Sequence, residues 1–195
     1  MASSMQQCKN ATQAFETEKA KVNEVMKDAK NSLRKKDVVD AMSDEQIQAM
    51  AVCELRSGHG HQSRYYMSHS WTGNFMTRIP DYINAGDSAN IVHKGSKGGV
   101  IYGLLPENRS TAWLLAWSKS DNPNEPNRVY VRGGTREKLL ESGIWNEVER
   151  ELDQAGDYSR AYDPESGALI AAQIQNDSDK VALVAVTFNI LDLPK

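Results

Sequence analysis

The chain is poor in the residues and patterns from which most functional signatures are built. Its 195 residues include only two cysteines, Cys8 and Cys53. They show neither metal-ligand spacing nor the paired framework of a disulfide-stapled domain, so both read as free thiols. Charge of one sign is also missing: 23 basic against 26 acidic residues leave a formal net charge of −3. No overall field therefore favours nucleic acid. Nowhere do about 18 apolar residues run together, and the opening MASSMQQCKNATQ lacks the basic start and apolar centre of a secretory signal. The expected compartment is the cytoplasm, and the N-x-S/T triplets headed by Asn10, Asn108 and Asn176 read as chance matches.

Catalytic signatures are absent as well. There is no G-x-S-x-G elbow, no H-E-x-x-H, and no cysteine set beside a histidine by motif. His59, His61, His69 and His93 lack spaced cysteines or paired acids to complete a metal site, and they read as loop residues. The stretch Lys94-Gly95-Ser96-Lys97-Gly98-Gly99 is rich in glycine and lysine but has neither P-loop spacing nor a following helix. It reads as a turn before a strand, with contact to an anionic headgroup as the alternative. The expectation is a non-enzymatic protein with no cofactor and no metal.

What is present is a sheet. Between Gly99 and Arg132 come GGVIYGLL, a Pro106 to Ser110 break, TAWLLAWS, a polar connection over Ser120 to Asn127 with Pro123 and Pro126, and NRVYVR. The first two runs are continuous rather than alternating, which predicts strands covered on both faces. The Pro106 break supplies hairpin turn chemistry, and the 120–127 connection cannot join a ladder, so a ligand is to be sought beside it. Further strands are predicted over Arg64–Gly73, 89–93, 168–175 and 180–189, the last two joined by the Asn176 to Asp179 turn. Residues 155–167 read as loop, and no internal repeat is visible.

Helices are expected at both ends. Residues 12–38 carry Phe15, Val22, Met26, Ala29 and Leu33 at helical spacing, with Lys30, Arg34, Lys35 and Lys36 crowding the end. Ser43 and Gln46 form a capping box that opens a second helix with Ile47, Met50, Ala51 and Leu55, ended by Gly58 and Gly60. A third helical stretch spans 135–153, broken near Glu141-Ser142-Gly143. The composition changes near 57–62, which predicts an N-terminal helical segment, 1–57, and a β-sandwich domain, 58–195. Rings and hydroxyls recur near the loops: Tyr65, Tyr66, Trp71, Trp117, Ser118, Trp145, Tyr158 and Tyr162. Such amphipathic rings suit a membrane interface or a sugar face. Trp113 and Trp117, set in an apolar strand, read as core.

The motifs Ser68-His69-Ser70-Trp71-Thr72-Gly73, Trp113 to Ser118 and the Trp145 helix resemble those of the plant jasmonate-induced proteins of low mass. The same layout is similar to the actinoporin-like β-sandwich, including Nakanori-type members that bind lipid membranes without lysis. The resemblance implies an α+β fold, mainly β: an antiparallel sandwich preceded by a helical pair. It implies a stress- or defence-associated binding protein that recognises a sphingolipid or phospholipid headgroup. Carried over by motif, Thr72 and Ser118 supply hydroxyls and Trp145 a ring, with Lys119 as phosphate contact and Tyr158 and Tyr162 as further aromatic candidates. Glu149 and Arg150 fall near the positions of two further tyrosines in the lytic members, so a glycan stays open as the ligand and a lectin as the second reading. The 12–38 helix is charged on nearly every turn, which argues against pores, since one buried charge costs about 2.5 kcal/mol or more in lipid. A third reading has that helix binding a protein partner; the oligomeric state is open.

Overall fold

The TAWLLAWS run is strand β5 (Thr111–Ser118), and in the computed structural model every residue of it from Thr111 to Trp117 is buried. The structure describes residues 2–35, 50–106, 110–120, 122, 124–176 and 181–191. Around β5 are arranged helix α1 (Ala2–Lys35), β1 (Met50–Ser57), β2 (Ser63–Phe75), β3 (Tyr82–Ile83), β4 (Ser88–Leu104), β6 (Arg128–Thr135), α2 (Arg136–Leu139), α3 (Ile144–Gln154), β7 (Tyr158–Tyr162), β8 (Ala168–Ile174) and β9 (Val181–Ile190).

β4 is the strand that makes two layers out of one sheet. Its first half, Ser88 to Lys94, pairs with β1, and its second half, Lys97 to Gly103, pairs with β5. β2 follows its other edge through three register shifts, from Ser63 opposite Leu104 to Phe75 opposite His93. One layer continues β4-β1-β9-β8-β7; the other runs β2-β4-β5-β6. Strand alternation then assigns the side chains. Ala51, Cys53 and Leu55, Val100 and Tyr102, Trp113, Leu115 and Trp117, and Val184, Val186 and Phe188 meet in the central core. The opposite faces are covered by helices, which is why both faces of these strands are apolar. Val22, Val25, Met26 and Ala29 of α1 pack on Val52, Ala171, Leu183 and Ala185. Ile144, Val148 and Leu152 of α3 pack with Leu139 on Ile101, Ala112, Leu114 and Ala116.

Five expectations are corrected. Residues 50–57 are strand, not the end of a second helix, and residues 43–49 lie outside the described residues. β1 lies between β4 and β9, so the sheet begins before position 58 and a division at 57/58 separates a central strand from its neighbours. Its pairing with β9 is parallel, so the sandwich is not wholly antiparallel. Residues 94–99 continue β4 instead of turning. Tyr158–Tyr162 form an edge strand where a loop was expected, paired with β8.

Two histidines are built into the sandwich. His59 stacks on Trp113 with ring centroids 5.0 Å apart. The His61 amide donates to its Nδ1 at 3.3 Å, which leaves Nε2–H to donate toward Ser57 or Ser63. Burial is the first cause that lowers its pKa, to about 4, with repulsion from His61 added; burial also pushes His93 down. Both are held neutral when folded and take up a proton when unfolded. For His59 the stabilisation is full above about pH 6.5 and is lost as pH falls toward about 4, and His93 adds to the loss in the same direction. Urea unfolding should therefore show about 2 kcal/mol less stability at about pH 5 than at about pH 7. His59→Gln should flatten that slope, and an unaltered slope would rule out the assignment.

Candidate functional site

The site residues expected from the motifs collect around one segment of β4, Ser96 to Gly99. Thr72 lies across a bulge of β2, opposite Lys97. Its Oγ1 accepts from the Ser96 and Lys97 amides at 3.0 and 2.9 Å and meets Ser96 Oγ at 2.8 Å. These amides are therefore spent inside the protein and cradle no phosphate. Ser118 is the register partner of Lys97 on β5. The Lys119 amide donates to Ser96 O at 2.6 Å. On the outer face, Trp145 at the start of α3 packs over Gly99, where an added Cβ would stand 2.7 Å from the indole Cζ3. Gly99 is needed for that approach.

The close crossing of β2 over β4 depends on two further glycines. Gly73 has φ +82° and Gly95 φ +145°, and a Cβ on either would stand about 2 Å from a carbonyl oxygen of the other strand, Lys94 O at 1.9 Å or Thr72 O at 2.1 Å. No other residue type permits both the positive φ and the approach. The crossing fixes Thr72 at the rim and turns Trp71 and His69 outward beneath α3.

There the three rings form a cluster. His69 stacks on Trp145 at 5.4 Å and meets Trp71 edge-on at 4.7 Å, and Trp71 meets Trp145 edge-on at 5.6 Å. All three are half-buried, so faces and edges remain open to solvent. Lys97 reaches into the same group, with its Nζ 5.6 Å from the Trp71 ring centroid, 2.7 Å from Asp153 Oδ1 and 3.0 Å from Glu149 Oε1. Burial presses the Lys97 pKa down, and the hydrogen bonds and charges of Asp153 and Glu149 outweigh it, so the ammonium ends above its ordinary value. The segment thus joins exposed hydroxyls, polarisable rings and one fixed cation, a combination suited to a small polar group with an apolar neighbour.

The fold is similar to that of the lipid-binding protein Nakanori. The two structures superpose with a TM-score of 0.64 at 16% sequence identity, covering 93% of this chain and 85% of that one. A mutated form of the Xerocomus chrysenteron lectin matches with a TM-score of 0.50 at 9% identity, over 73% of this chain and 99% of the lectin. At these identities the likeness is one of fold. No protein-family model and no curated protein matches the sequence, so the jasmonate-induced resemblance rests on its motifs.

Within this Nakanori-like sandwich the expected site divides. Thr72, Ser118 and Trp145 surround the same four residues of β4, Thr72 exposed and the other two half-buried. Lys119 is beside them but only 7% exposed, and its Nζ donates to Ser120 O at 2.9 Å, which makes it a poor phosphate contact. Tyr158 lies elsewhere, in the apolar cluster under α1, with Lys19 Nζ 5.6 Å from its ring. Tyr162 follows it by four residues on β7, so alternation sets it on the same α1-facing side. Neither tyrosine belongs to the site, because α1 and α3 cover opposite outer faces. The 120–127 connection joins the site's edge and is tied down: Asn127 is buried, accepts from the Ser120 amide at 3.0 Å and donates to Gln175 O at 2.6 Å. His69 and Asp153 were missed as candidates, while Ser96 and Lys97 entered only through the Lys94–Gly99 stretch and Glu149 only as a departure from the motif; the Ser-His-Ser-Trp spacing puts His69 beside Trp71 on one strand face, which is the signal that was there to find.

A serine meets an imidazole here as well. Ser70 Oγ lies 2.8 Å from His93 Nε2, yet also 2.8 Å from Gly73 O and 3.2 Å from Thr72 O. The hydroxyl has two carbonyl acceptors beside the imidazole, so its proton is not committed to the ring as in a nucleophile–base pair. The pair locks the glycine crossing.

Proposed function

We propose that this protein is a non-enzymatic binding protein whose β4 patch recognises a membrane-lipid headgroup of sphingolipid or phospholipid type without forming pores. The observation that carries this reading is the convergence of Thr72, Ser118 and Trp145, with Trp71, His69 and Lys97, on Ser96–Gly99. Hydroxyls and a cation satisfy a phosphate, while half-exposed indoles sit at the boundary of headgroup and acyl chain. Fold likeness to a protein named as lipid-binding supports it. The cytoplasmic, stress- or defence-associated setting is what the motif resemblance implies.

The lectin reading has its own support in the likeness to the Xerocomus lectin and in the same chemistry of rings and hydroxyls. Co-sedimentation with sphingomyelin or phosphatidylcholine vesicles, run against a glycan array, separates the two. Sedimentation with a silent array is expected; the reverse would overturn the lipid reading. Partner binding through the apolar stripe of α1 has less support, because Val22, Val25, Met26 and Ala29 already cover the sheet.

No helix among the described residues is long and apolar enough to cross a membrane. Arg56 ties α1 to the sheet through Asp28 at 2.8 Å, and Glu18, 2% exposed, accepts from Asn189 Nδ2 at 3.2 Å. Dye release from vesicles that bind the protein should stay at background; substantial leakage would contradict the non-pore assignment.

A further inference from the structure

A row of side chains crosses three strands beside the aromatic cluster. Ser118 is the register partner of Lys97 on β4 and of Arg128 on β6, so lysine, serine and arginine stand side by side at strand spacings of about 4.8 Å. The last turns of α3 lie on this row. The Asp153 and Glu149 carboxylates hold Lys97, and the Arg128 guanidinium donates to the Asp153 backbone carbonyl. The side chain of Lys97 is only 13% exposed, whereas those of Glu149 and Asp153 are 40% and 60% exposed. The next cation on β6, Arg132, is taken by Glu147 at 2.9 Å, and Lys119 by Ser120 O. Two basic groups and a hydroxyl are thus laid out for an anion, and acids of the same chain sit where its oxygens would go.

We propose that Lys97, Ser118 and Arg128 form the phosphate-contacting row of the headgroup site, and that Glu149 and Asp153 are internal competitors that discriminate against anionic lipids. The inference rests on the headgroup reading above. A net-anionic surface meets the two exposed carboxylates before it meets Lys97, while a zwitterionic headgroup presents its phosphate without that repulsion. Each charge near an anionic bilayer changes binding by about fivefold. Neutralising both acids should therefore favour anionic vesicles by about tenfold or more, and added salt should reduce the gain.

The test is co-sedimentation of the wild type, Glu149→Gln/Asp153→Asn and the same double variant with Lys97→Met. The vesicles are phosphatidylcholine alone and phosphatidylcholine mixed with phosphatidic acid, at low and high salt. Thermal melting checks the fold, and Asp153→Asn alone serves if the double variant loses α3. A gain on the anionic vesicles that is screened by salt and removed by Lys97→Met supports the proposal. If the wild type sediments and a folded double variant shows no gain, the competitor role is wrong and the headgroup reading stands. If only the double variant sediments, the competitor role stands and binding to zwitterionic headgroups by the native protein falls. Sedimentation by neither overturns both.

Discussion

Trp145→Ala is expected to lower vesicle binding more than tenfold while the protein stays folded. Trp145 makes two of the three ring contacts of the aromatic cluster, stacked on His69 and edge-on to Trp71, and it packs closely over Gly99. Its removal takes away a partly exposed indole at the rim, and central aromatic anchors commonly carry about 2 kcal/mol or more of a binding free energy. The cost to stability should be smaller than for a fully buried tryptophan, about 2 kcal/mol, because only part of the ring is removed from water. Trp145→Phe keeps a ring over Gly99 and should retain most of the binding. Co-sedimentation and urea unfolding read the two effects separately, and full binding by a folded Trp145→Ala protein would remove Trp145 from the site.

Gly73→Ala should be the most damaging single-methyl change, at about 3 kcal/mol or more of lost stability. The added Cβ falls 1.9 Å from Lys94 O and at a φ of +82°, so backbone strain and overlap act together. Gly95→Ala meets Thr72 O at 2.1 Å from the other side and should behave alike. Both should also impair vesicle binding, since parting the strands frees Thr72 from the Ser96 and Lys97 amides. Gly86→Ala is the control: its φ is also positive, +74°, but its Cβ meets nothing within 4 Å. A Gly73→Ala protein no less stable than Gly86→Ala would show that the crossing is not tight.

The strands that were legible are those whose signal is local. β5 and β8 are apolar runs bounded by turn residues, and the break in the 135–153 helix follows from Gly143, which stands at φ +90° before α3. β1 was illegible because MAVCELRS satisfies two periods. Met50, Ala51 and Leu55 fit a helix, Ala51, Cys53 and Leu55 alternate as a strand, and only the neighbours β4 and β9 decide between them. The glycines of 94–99 look like a turn because their reason lies far along the chain: Gly98 accommodates Trp117 and His93, and Gly99 accommodates Trp145. β7 hides as a polar edge strand whose alternate side chains face α1. The same logic divides the site. Thr72, Ser118 and Trp145 were found by motif, whereas Lys97 with its acids depends on α3 lying across β4 and β5, a packing relation that spacing alone does not encode.

Intrinsic fluorescence offers the most direct check on where a ligand meets this protein, because its four tryptophans divide evenly. Trp113 and Trp117 are 1% and 0% exposed, while Trp71 and Trp145 are half-buried at the β4 patch. On titration with sphingomyelin vesicles, emission should shift to the blue and acrylamide quenching should fall, with most of the change gone in Trp145→Ala. Vesicles that sediment the protein yet leave emission and quenching unaltered would place the contact elsewhere and contradict the assignment of the patch.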